Sequence, residues 1–124
     1  MPLSRRPRSS LRADDRVRIA HMLEAADAVA EFVAGRSRSD LDRNRMLLFA
    51  LVRAIEVLGE AASKVSIETR VSLPEIPWPA IVGMRNRLIH GYFDIDAEIV
   101  WKTVTVEVPP LRNLLQESLE APPH

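Results

Sequence analysis

Between residues 41 and 65 the chain runs without a proline, and its apolar residues Met46, Leu47, Phe49, Ala50, Val52, Ile55, Leu58, Ala61, Ala62 and Val65 recur at short helical steps. Wound into a helix, these positions cover much more than the single stripe of a surface helix. The segment must therefore be buried on more than one side, against its own chain and, in a dimer, against a second copy. Ser39 followed three residues later by Asp42 has the spacing of a capping box, so one long helix is predicted over 41–65, with Gly59 as its only interior breaker.

The remainder of the chain fits helical neighbours. From Asp14 or Asp15, both good N-caps, Ile19, Met22, Leu23, Ala26, Val29, Phe32 and Val33 follow three- and four-residue steps up to Gly35, a natural stop. Pro74, Pro77 and Pro79 forbid a continuous helix over 66–79, which reads as a connector. Pro79 suits a first helical turn, and Ile81, Met84 and Leu88 give a short third helix running out near His90 and Gly91. Asp94 or Asp96 caps a last helix with Ile99, Trp101, Val104, Val108, Leu111, Leu115 and Leu119 on its buried side, kinked or interrupted at Pro109–Pro110. With 124 residues, 4 Gly and 5% aromatics, the expectation is one all-α domain.

Several function classes fall away at this stage. The chain has no Cys, hence no disulfide framework, thiolate metal site or thiol nucleophile, and the reading is a reducing cytoplasm. His21, His90 and His124 are too scattered to suggest zinc, and no cofactor is expected. No apolar run is long enough to cross a membrane. Charge is uneven: residues 1–18 hold Arg5, Arg6, Arg8, Arg12, Arg16 and Arg18 against Asp14 and Asp15, a balance of +4, which leaves −4 for residues 19–124. Residues 1–13 read as a basic disordered leader able to touch RNA phosphates, residues 14–120 as the folded domain, and 121–124 as a frayed tail.

The densest polar cluster within a core-forming segment is MRNRLIHGY, residues 84–92. On a helix Asn86 and His90 share a face, which lets the amide orient the imidazole. Arg85 and His90 converge less directly, about 140° apart on a helix. An imidazole titrating near neutrality beside a guanidinium is what a metal-free ribonuclease needs: the His moves the proton of the ribose 2′-OH or protonates the departing 5′-oxygen, and the Arg stabilises charge on phosphorus. A plain alternative has Arg85 and Arg87 solvated and His90 favourably placed at a helix C-terminus. On the long helix, Arg53, Glu56, Glu60 and Lys64 form either a solvated salt-bridge ladder or, through Glu56 or Glu60, a support that orients Arg85 or His90.

Arg85 and His90, four residues apart and followed by Tyr92, match the Arg-x4-His-x-Tyr motif, and the chain resembles the HEPN superfamily, specifically its HepT-like ribonuclease toxins. VAGRSRSD at 33–40, AIEVLGEAA at 54–62, EIPWPAIVGMRNRLIHGYFDID at 75–96 and EIVWKTV at 98–104 carry the likeness in order. The resemblance implies a four- to five-helix bundle, a two-fold homodimer with the motif at its interface, and metal-independent endoribonuclease activity on RNA. It further implies a toxin role, with neutralisation by an MNT-type nucleotidyltransferase antitoxin that adenylylates Tyr92. Under this reading Arg85 and His90 are catalytic, Asn86, Glu56 and Glu60 orient them, and Arg87 contacts an RNA phosphate or simply faces solvent. Gly91 departs from the polar residue common at that place in relatives. A competing reading from another class is a non-catalytic helical subunit that holds a nucleotide or a nucleotidyltransferase with the same Arg and His.

Overall fold

The computed structural model describes residues 11–90 and 94–120, with His90 described by its backbone alone. The leader segment 1–10, residues 91–93 and the tail 121–124 lie outside the described residues. Helix α1 (Ala13–Val33) packs against both α3 (Arg45–Ser63) and α8 (Val108–Glu120), and α3 in turn carries α5 (Trp78–Val82), α6 (Met84–Leu88) and α7 (Ala97–Lys102). The short α2 (Asp40–Arg43) and α4 (Ile67–Ser72) lead into and out of this frame. The result is the expected all-α bundle. Among the described residues, strand pairing is limited to a short antiparallel ribbon of two residues on each side, β1 (Ile89–His90) with β2 (Asp94–Ile95).

One apolar core unites the layers. Ile19, Met22 and Val29 of α1 meet Leu51, Ile55 and Leu58 of α3, with Ile81, Leu88, Val100, Val104 and Leu115 closing the far side. Gly59 lies where α3 approaches α5 most tightly: a Cβ there would stand 3.2 Å from the carbonyl oxygen of Ile81. The glycine permits this close helix packing.

Several local expectations are corrected. The long helix does not run unbroken from 41: Asn44 turns extended (φ −125°, ψ 93°), ending α2, and its side chain accepts from the Leu47 amide at 3.0 Å to start α3. Ser39 makes no side-chain cap; Asp40 instead accepts from the Ser37 amide at 2.7 Å. Asp15 is not an N-cap of α1 either. It lies inside the helix, 3% exposed, and its carboxylate accepts from the Ser66 amide at 2.8 Å, Ser66 Oγ at 2.6 Å and Thr69 Oγ1 at 2.6 Å, pinning α4 to α1. Burial raises its pKa, but these hydrogen bonds to the ionised form outweigh that, with help from Arg12, and the net shift is downward. The connector 66–79 thus holds the turn-and-a-half α4 before Pro74 ends helical structure.

The last helix begins at Asp96, whose Oδ1 accepts from the Ile99 amide at 3.1 Å, so Asp96 rather than Asp94 is the cap. Pro109 and Pro110 do interrupt its α-helical bonding, in a specific manner. The helix widens to a π-turn over Thr103–Glu107 and resumes as α8, with the Val108 amide bonded to the Thr103 carbonyl. The wider turn relaxes the crowding that two successive pyrrolidine rings impose on the preceding turn.

Candidate active site around Arg85

The motif segment is built by two breaks. Gly83 separates α5 from α6, and the β-branched Ile89 takes an extended conformation (φ −118°, ψ 118°) that ends α6 at Leu88. Met84 and Leu88 bury themselves in the core, so Arg85, Asn86 and Arg87 are left on the outer surface. This corrects the expected geometry: His90 is not one helical turn beyond Asn86 on a shared face, but in β1, where its backbone pairs with Asp94 across the ribbon. The Asp96 amide closes the same reversal on the Leu88 carbonyl at 2.8 Å. Arg85 and His90 therefore come from consecutive elements of one tight reversal. Tyr92 lies outside the described residues.

Arg85 is held from α3. Its Nε donates to Glu56 Oε2 at 2.7 Å, while Glu56 Oε1 stands 3.8 Å from Arg53 Nη1. The carboxylate, 23% exposed, is thus bracketed by two guanidiniums that are 55% and 66% exposed. Of the two sequence alternatives for this stripe, Glu56 does both: it keeps one rung of the ladder and reaches the motif. Glu60 is exposed a turn further on and takes no part in the pairing with Arg85. Asn86 is exposed at the surface of α6, and Arg87 Nη2 donates to Glu107 Oε1 of the π-turn at 3.2 Å. The contact from Arg87 to the π-turn was not foreseen, and sequence spacing offers no signal for it.

Chemically, Glu56 accepts from Nε of the half-exposed Arg85 and so restrains the guanidinium plane. A planar fork anchored in this way suits bidentate binding of a phosphate. Among the described residues, no three His, Asp or Glu side chains gather as a metal site does, and no helix is long and apolar enough to cross a membrane.

The family described as Ribonuclease HepT-like matches residues 22–118, a span that includes the whole reversal and Glu56. A Methanocaldococcus jannaschii protein named "Putative RNase" is 38% identical over 92 residues, covering 74% of this chain and 84% of that protein. A Caldanaerobacter subterraneus protein with the same kind of name is 35% identical over 102 residues, or 82% and 91% of the two chains. The "Probable ribonuclease HepT" of Thermococcus cleftensis is 34% identical over 94 residues, or 76% and 86%. No solved structure gives a significant match.

Proposed function

Because the chain belongs to the HepT-like ribonuclease family, we propose that it is a cytoplasmic, metal-independent endoribonuclease in which Arg85 and His90 carry the reaction. The observation that carries the reading is the anchoring of a half-exposed Arg85 by Glu56 at the start of the same reversal that holds His90. His90 takes the proton of a ribose 2′-OH as that oxygen attacks the adjacent phosphorus. Arg85 stabilises the charge gathering on the phosphoryl oxygens, and the 5′-oxygen leaves with a proton from a general acid. A two-fold homodimer meeting at the motif supplies that acid as His90 of the partner subunit. Exposed Val82, just before α6, and Val106, beside Glu107, offer the apolar flanks that such pairing covers. Glu56 orients Arg85, and Arg87 adds a phosphate contact.

The same proposal includes a toxin–antitoxin setting. An MNT-type nucleotidyltransferase partner transfers AMP from ATP to the hydroxyl of Tyr92, two residues from His90, with release of pyrophosphate, and the added phosphate occupies the place of the RNA phosphate. The test of catalysis is incubation of purified protein with RNA in EDTA. Products ending in 2′,3′-cyclic phosphate are expected, and Arg85→Ala or His90→Ala should abolish them. Undiminished cleavage in either variant removes that residue from the mechanism, whereas phosphate or nucleotide binding with no cleavage favours a non-catalytic subunit. For regulation, co-expression with the nucleotidyltransferase should add AMP mass to the wild type and none to Tyr92→Phe. A light-scattering mass of a monomer at micromolar concentration would exclude the composite cleft.

A further inference from the structure

The exposed face of α3 continues past Glu56 toward the helix N-terminus, and its composition changes on the way. Residues 45–53 contain no acidic side chain, and their most exposed members are Arg45, Met46, Phe49 and Arg53. Phe49, 49% exposed, is covered on one side by the Arg45 guanidinium, 5.3 Å from the ring centroid, and Met46 beside it is 83% exposed. Residues 45, 49, 53 and 56 advance by four, four and three, so they lie along one line of the helix surface. From Phe49 to Glu56 that line measures about 10 Å, close to three stacking steps of about 3.4 Å in a nucleic-acid strand.

We propose that Arg53 and the Arg45–Phe49 pair form a nucleotide-binding subsite for single-stranded RNA flanking the scissile phosphate at Arg85. This rests on the ribonuclease reading above and adds to it the residues that grip the strand beside the cleavage point. Arg53 takes the neighbouring phosphate, and Phe49 stacks a base one turn further on. A half-exposed aromatic ring backed by one guanidinium, with a second cation one turn along the helix, combines the stacking surface and positive charge with which proteins hold single strands. The absence of acid between 45 and 53 suits an anionic strand; Glu56, the nearest carboxylate on the line, is already shared between Arg53 and Arg85.

The experiment uses a fluorescent 2′-O-methyl RNA oligonucleotide, which lacks the attacking hydroxyl and so reports binding alone. Phe49→Leu, which keeps apolar bulk and removes the ring, should weaken binding about 10-fold or more, with the salt dependence unchanged. Phe49→Tyr should restore it. Arg53→Gln, a change at an exposed side chain, should weaken binding and lower the slope of log affinity against log salt by about 0.7. If the wild type binds and cleaves RNA while Phe49→Leu and Arg53→Gln bind as tightly as it does, the subsite is overturned and the ribonuclease reading stands. A smaller assembly mass in Phe49→Leu assigns the face to a second copy and also overturns the subsite. A wild type that neither binds nor cleaves single-stranded RNA ends both readings.

Discussion

Arg85 Nε and Glu56 Oε2 meet at 2.7 Å across 29 positions of sequence, joining the motif helix to the middle of α3. Arg85 is half open to water, so the pair's contribution to stability is small; its effect is to fix the plane of the guanidinium. Glu56→Ala should therefore leave the melting temperature nearly unchanged and lower kcat by about 100-fold, the scale of a misaligned catalytic group, with little change in KM. Glu56→Gln, whose amide oxygen still accepts from Nε, should recover most of the rate. A Gln variant as impaired as the Ala variant would count against an orienting role.

Asp15 carries a charge in the core boundary for a structural purpose. Three donors from Ser66 and Thr69 converge on its carboxylate and lower its pKa from the ordinary 3.8. For a carboxyl lowered on folding, the stabilisation is present above the unfolded value and is lost as pH falls through the folded value. Asp15→Ala should cost about 2–3 kcal/mol at pH 7, the worth of hydrogen bonds to a charged group. Urea denaturation at stepped pH should show the gap between wild type and variant shrinking below about pH 4. A gap that persists undiminished at pH 2 would mean that packing, not charge, sets the cost.

The helical class and most of the core were legible because apolar spacing is a local signal: Ile19, Met22, Val29, Ile55, Leu58 and Leu115 are all buried where the periodicity puts them. Helix limits were less so, since they depend on tertiary partners. Asn44 could break the predicted 41–65 helix because its own side chain restarts α3, and Asp15 looked like a cap of α1 while it in fact serves the start of α4. At the site, Arg85 and His90 stood out by residue type, yet their relation followed from the extended turn at Ile89, which helical spacing cannot express. The spacing of Arg53, Glu56, Glu60 and Lys64 allowed either a ladder or a reach to the motif, and the docking of α6 on α3 lets Glu56 do both.

Gly59 tests that docking directly. A Cβ at 59 lies 3.2 Å from the Ile81 carbonyl and 3.7 Å from that of Val82, both backbone atoms that a rotamer change cannot move aside. Gly59→Val should push α5 away from α3 and destabilise the fold by about 1–3 kcal/mol. Because α5 leads through Gly83 into α6, the shift should also separate Arg85 from Glu56 and depress RNA cleavage under conditions where the variant remains folded. Retention of full activity at full helicity would show that the approach of α5 to α3 does not set the geometry of the site.

Arg87 reaches Glu107 at 3.2 Å, which ties the motif helix to the π-turn and offsets one positive charge beside Arg85. If Arg87 contacts RNA phosphate, removing its carboxylate partner should release it for that contact. Glu107→Gln should then bind single-stranded RNA several-fold more tightly at low salt, with a steeper loss of affinity as salt rises. Adding Arg87→Ala to that variant should cancel the gain, since the released guanidinium is its source. A gain that survives in the double variant would trace instead to the general loss of negative field near Arg85, and would leave Arg87 as a structural tie between α6 and the last helix.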